Sequence, residues 1–192
     1  MHFSLMDPRF IITVVVVVMI VGIIVGVYLE RRKKHSLALR NQFGTEYNRA
    51  VIVHGTEQKA EAKLADRATR VEKLNIRELA PTERARFLAE WQAVQSRFVD
   101  HPKGAVTEAD ELVTALLVAR GYPVAEFDQR AADLSVDHPL VMENYRSAHA
   151  VVVRPGGVQA TTEELRAAMI HYRSIFDELV QVQVLTEQKS AA

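Results

Sequence analysis

Apolar residues fill one stretch near the start of the chain and recur at intervals of three and four after it. The first stretch, Phe10 to Leu29, reads FIITVVVVVMIVGIIVGVYL and carries no charge between Arg9 and Glu30. At about 1.5 Å rise per residue, twenty residues reach about 30 Å, the hydrocarbon thickness of a bilayer. The β-branched run Val14 to Val18 would suit a strand in water. In lipid an open strand leaves backbone groups unpaired at several kcal/mol each, so the pattern predicts a transmembrane helix. A cleaved secretory signal would need a basic leader, a shorter apolar core and a small-residue cleavage site, and none is evident.

Beyond the span the helical period takes over, with Gly and Pro between the apolar runs. Glu30 to Asn41 continues the first helix and ends near Phe43-Gly44, and Thr45 to His54 forms a short helix stopped by Gly55. Thr56 to Leu74 carries the small stripe Ala60, Leu64, Ala68, Val71 and Leu74 among many charges. It reads as a solvated or coiled-coil-like helix at the margin of the core. Pro81 suits a first helical position. The helix it starts runs to about Val99 and is expected to bury Ala85, Leu88, Trp91, Val94 and Phe98.

Pro102 and Gly104 precede a helix whose Val106, Ala109, Leu112, Val113 and Leu116 face inward, ended by Gly121-Tyr-Pro123. Val124, Phe127, Ala131 and Leu134 give a shorter stripe ending at Ser135-Val-Asp-His-Pro139, where Ser135 or Asp137 can cap the next helix. That next helix carries Val141, Tyr145, Ala148 and Val152. After the Arg154-Pro-Gly-Gly157 loop, Thr161 and Glu164 form a capping box for a last helix bearing Leu165, Ala168, Met169, Tyr172, Phe176 and Leu179.

The predicted fold class is therefore all-α: one N-terminal transmembrane helix and an irregular bundle of about five to seven amphipathic helices. Its divisions are a short extracytoplasmic N-terminus (1–9), the span (10–29), a basic juxtamembrane segment (30–44), the helical domain (45–185) and a frayed polar tail (186–192).

Charge sets the orientation. MHFSLMDPR holds one acid and one base, whereas Arg31, Arg32, Lys33 and Lys34 follow the span, so the positive-inside bias predicts a cytoplasmic domain at a bacterial inner membrane. A secreted or periplasmic domain is the alternative. The same cations can contact anionic lipid. Gly22 and Gly26 form a Gly-x-x-x-Gly pattern that allows a weak homodimer within the span. Lys plus Arg equals Asp plus Glu at 24 each, so no global basic excess asks for nucleic acid. The absence of cysteine removes disulfides, thiolate metal sites and a cysteine nucleophile.

The segments AVIVHGTEQKAEAKLADRATRVEKLNIREL, ERARFLAEWQAVQSRFVDHP, ADELVTALLVARGYPVAEFDQRAADLSVDHP, ENYRSAH and LRAAMIHYRSIFDELV together resemble a widespread bacterial family of uncharacterised proteins with an N-terminal hydrophobic segment. The resemblance runs from Leu37 to Leu179 and implies membership alone, with no activity, ligand or site to carry over. Some members bear a secreted-protein label, against which the basic flank here argues.

Asp133, Asp137, His138, His149 and His171 are the residue types of a zinc or iron site, but no ligand motif spaces them. Ser135, Asp137 and His149 could be written as a hydrolase triad, yet no Gly-x-Ser-x-Gly elbow or strand–helix alternation supports it. No phosphate-binding glycine motif occurs. Tyr145-Arg146-Ser147 and Tyr172-Arg173-Ser174 echo one another. With the tyrosines packed inward, each arginine would pair with a carboxylate such as Asp128, Asp133 or Asp177. No catalytic, cofactor or metal residue is assigned. The sequence favours a membrane-tethered interaction or scaffolding module with an unknown protein partner; the alternative is an enzyme, or a small-ligand or metal-binding sensor, with its site between the C-terminal helices.

Overall fold

The structure is a computed structural model that describes the backbone of residues 8–154 and 160–190 and the side chains of residues 12, 15–154 and 160–180. Among the described residues every regular element is helical: α1 (Pro8–Phe43), α2 (Thr45–His54), α3 (Glu57–Glu72), α4 (Pro81–Arg97), α5 (Pro102–Ala119), α6 (Phe127–Asp137), a 3-10 turn (Pro139–Val141), α7 (Met142–Val152) and α8 (Thr162–Ser190). The all-α class read from the period is the class observed. The chain divides into two compact units, Met1–Gln42 and Phe43–Ala192, described separately below. The expected Pro155–Gly157 turn, the segment 1–7 and the side chains of the polar tail lie outside the described residues.

The first unit is almost wholly α1, which opens on Pro8. Proline suits that place because its missing N–H would have no partner in the first turn. From Val15 to Leu29 every side chain is exposed, Val18 at 65% and Ile23 at 64%. The expected transmembrane span at Phe10–Leu29 is not supported by the described residues, among which no helix is long and apolar enough to cross a membrane.

In the second unit, Trp91 of α4 is 4% exposed and stacks on Phe176 of α8 at 4.8 Å between centroids. Around that pair α5 buries Ala105, Val106, Ala109, Leu112, Val113, Leu116 and Leu117, and α8 buries Leu165, Ala168, Met169, Tyr172, Ile175, Phe176 and Leu179. One register differs from expectation. The buried face of α4 is Phe87, Trp91 and Val94, while Leu88 is 40% exposed and Ala85 faces the surface. Phe87 lies four residues before Trp91, one turn along the same face, and the larger ring takes the buried place.

Local chemistry ends and starts the helices. Gly55 closes α2 at φ 78°, and Thr56 accepts the Lys59 amide to start α3. Glu83 accepts the Ala80 N–H at 2.9 Å in the first turn of α4. Thr161 and Glu164 make the expected reciprocal cap: Glu164 Oε2 takes the Thr161 N–H at 2.7 Å, and Thr161 Oγ1 takes the Glu164 N–H at 3.3 Å. Gly121 follows α5 at φ 97°, and a Cβ there would lie 2.3 Å from Asn75 O. This close crossing lets Arg77 N–H donate to Arg120 O, tying the α3–α4 connection to the end of α5.

Two other expectations fail. The segment read as a solvated or coiled-coil-like helix, α3, instead buries Ala60, Leu64 and Val71 and packs on α2 and α6. Arg67 and Arg70 add polar contacts to α6. Nor do Ser135 and Asp137 cap the following helix: α6 runs on through both, and α7 starts beyond the Pro139 turn with no side-chain cap. Proline interrupts the helix here, so the 3-10 turn rather than a capping side chain reverses the chain.

Candidate functional site

Four helices of the second unit, α2, α3, α6 and α7, bury apolar side chains such as Tyr47, Leu64, Leu134 and Tyr145 and are also joined by several ionic contacts. Asp133 of α6 is 1% exposed and accepts Arg70 Nε from α3 at 2.8 Å, with Gln129 donating to both its oxygens at 3.0 Å. Glu46 of α2 is 5% exposed and pairs with Arg146 of α7 through two bonds, at 2.8 and 3.3 Å. Arg67 of α3 donates to the buried Ser135 hydroxyl at 2.9 Å, and burial lowers its pKa. Bidentate guanidinium–carboxylate geometry is well suited to such partly dry positions.

Beside this layer lies a groove of about 520 Å³ lined by Arg49 of α2, Glu126, Phe127 and Asp128 at the start of α6, and Arg146, His149, Ala150 and Val153 along and just past α7. His149 and Phe127 stack in parallel, 3.6 Å between centroids and 5° between planes. Below them, Asp110 Oδ1 of α5 lies 3.3 Å from His149 Nδ1 and accepts the Tyr172 hydroxyl of α8 at 2.9 Å. Burial, then the neighbouring Asp110 charge, pushes the Tyr172 hydroxyl up, so it remains a neutral donor. A carboxylate can only accept, so Nδ1 of His149 carries the proton that faces Asp110, and whenever the ring is neutral its Nε2 is a lone-pair acceptor.

A third polar set sits where α8 passes the end of α5. Arg120, 6% exposed, donates to Leu179 O at 3.3 Å and lies 3.5 Å from His138 Nε2, while His138 Nδ1 is 3.1 Å from Glu178. Tyr122 donates to Asp137 at 2.8 Å, and burial followed by that carboxylate raises its pKa. These bonds clamp α8 to the end of α5 and the end of α6.

The residues singled out in the sequence are thus dispersed. Asp133, Asp137, His138 and His149 each have a different partner, and no group of three metal-ligating side chains occurs among the described residues. Ser135 bonds Arg67 and Ala132 O, Asp137 bonds Tyr122 and His149 bonds Asp110, so they do not form a triad. Both echoed tyrosines are fully buried, as expected. Arg173 does pair with Asp177, at 3.4 Å, but Arg146 takes Glu46 rather than Asp128, Asp133 or Asp177. Sequence reasoning passed over Glu46, Asp110 and Arg49 and read Phe127 only as a core-stripe residue, since nothing in their spacing distinguishes them from surface or core residues. No protein-family model, curated protein or solved structure matches the chain.

Proposed function

We propose that the protein is a membrane-tethered helical module whose second unit binds another protein on the cytoplasmic side of a bacterial inner membrane. The observation that carries the tether is the exposure of α1: apolar side chains from Val15 to Leu29 stand outward around the whole helix. Exposed apolar surface costs about 25 cal/mol per Å² in water, and a valine-rich helix is also intrinsically poor there. Hydrocarbon removes both penalties and enforces the helix by denying the backbone any other partner.

The cations support spanning over lying flat. Arg31, Arg32, Lys33 and Lys34 are all exposed on the same helix, and at 100° per residue they form a collar rather than a stripe. An interfacial helix carries its cations on one face, whereas a collar meets headgroups in every direction. Gly22 and Gly26 have no neighbour within 4 Å, which leaves room for a weak helix pair. For the protein partner, the support is a groove of about 450 Å³ between α4 and α5, floored by Val94 and Leu112 and rimmed by Glu90, Glu108, Glu111 and Arg97. Arg97 pairs with Glu108 at 2.6 Å and Glu90 with Arg86 at 3.7 Å, leaving the Glu111 carboxylate on the rim to meet a basic residue of a partner helix.

Membrane fractionation tests the reading. The full chain should stay with the bilayer through alkaline carbonate extraction, and a reporter fused after Ala192 should be active only if it works in the cytoplasm. Release by carbonate, or activity of a periplasm-dependent reporter, contradicts it.

A further inference from the structure

The groove between α2, α6 and α7 carries fixed charges of opposite sign on different helices. Arg49 of α2 has no ion pair among the described residues, and Arg146, the other guanidinium on the wall, is already neutralised by Glu46. Glu126 and Asp128 stand exposed at the start of α6 with no side-chain partner among the described residues. Phe127, Ala150 and Val153 add apolar surface to the same lining. His149 is held against Phe127 by stacking and by Asp110, which leaves its Nε2 without a partner among the described residues on a ring that lines the groove.

A volume of about 520 Å³ falls within the common range of small-molecule sites, about 300 to 1,000 Å³, and far exceeds what an isolated phosphate or acetate fills. A simple anion would meet Arg49 but be repelled by Glu126 and Asp128, and a simple cation the reverse. A metal ion has too few ligands, since no set of three is present among the described residues. A molecule with both charges and an apolar part satisfies the whole lining.

We propose that this groove binds a small zwitterion of the amino-acid or short-peptide class. Its carboxylate rests on Arg49, its ammonium lies toward Glu126 and Asp128 and donates to His149 Nε2, and its apolar part covers Phe127, Ala150 and Val153. This site is independent of the tether and of any protein partner.

The test uses the full chain in detergent micelles, with the His149 ring nitrogens followed by NMR as three probes are added: L-phenylalanine, its amide, which lacks the carboxylate, and 3-phenylpropionate, which lacks the ammonium. L-Phenylalanine should give a saturable His149 shift, and each truncated probe should bind about tenfold or more weakly, the usual loss when one charge-assisted bond goes. Arg49→Ala should weaken L-phenylalanine but leave binding of the amide unchanged. Glu126→Gln with Asp128→Asn should weaken L-phenylalanine and spare 3-phenylpropionate. All three residues are exposed, so the melting temperature should not move and loss of binding cannot be a folding defect. The proposal is overturned by the absence of a saturable shift with L-phenylalanine, by either truncated probe binding as tightly as the zwitterion, or by folded variants that bind all three probes like the native chain.

Discussion

Where α4 and α5 meet α8 around Trp91, the buried contacts are chiefly carbon on carbon: Trp91 stacks on Phe176, and Val94, Leu112, Leu116 and Ile175 belong to the same core. Where α2, α3, α6 and α7 meet, buried or half-buried ionic and polar contacts cross between helices beside the apolar ones, among them Arg146 to Glu46, Arg70 to Asp133 and Arg67 to Ser135. The first kind of interface is non-directional and scales with area, so it tolerates shifts in detail but not loss of volume. The second depends on partners meeting in fixed geometry, and removal of one leaves the other dry and uncompensated. One domain therefore has a side that responds to size and a side that responds to pairing.

The sharpest break should come on the apolar side. Trp91→Ala is expected to cost about 3 to 5 kcal/mol, by lost transfer energy and the cavity left against Phe176. Denaturant unfolding in micelles measures it, and a loss below 1 kcal/mol would mean that the stacked pair is not central.

On the polar side the expected effect is smaller and reversible by design. Arg146→Met leaves Glu46 buried without its cation and should cost about 3 kcal/mol. Adding Glu46→Leu should restore most of that loss, because a buried ion pair is often no more stable than a packed apolar pair of similar volume. If the double variant is as unstable as the single one, the pair does more than fill and neutralise.

Much of this contrast was invisible beforehand, for physical reasons. Periodicity finds apolar stripes, so α5 and α8 were legible almost residue by residue, and so were the helix ends at Gly55, Pro81 and Thr161. In α4 it could not choose between neighbouring apolar positions, Phe87 and Leu88, which differ by only 100° around the axis. The ion pairs leave no such trace. Glu46 and Arg146 are separated by 100 positions, Arg70 and Asp133 by 63, and a buried acid has the same letter as an exposed one. Two of the charges on α3, Arg67 and Arg70, fasten it to α6. In the groove, His149 was noticed as an isolated histidine, but its partners Asp110 and Phe127 come from other helices and only the fold brings them together.

Acid should produce the mildest difference, at the helix starts. The Arg77 guanidinium and the Ala80 amide hold Glu83 down at about 2, and Arg154 with the Thr161 cap holds Glu164 at about 2. Each is a depressed carboxylate, so its stabilisation is fully present above the ordinary value near 4.5 and fades as pH falls toward 2. Unfolding curves between pH 5 and 2 should therefore be less steep with pH for Glu164→Gln than for the native chain. Equal slopes would show that the cap contributes nothing in solution.

The central claim, that α1 holds the chain in a bilayer, is tested most directly by cysteine accessibility, for which a chain without native cysteine is well suited. Single cysteines placed in turn from Val15 to Leu29, and at Lys34 as a control, would be exposed in membranes to a maleimide that cannot enter lipid. The account predicts protection at every position from 15 to 29 regardless of helical face, and ready labelling at 34. Labelling throughout, or protection repeating every three to four residues as on a helix with one covered side, would contradict it.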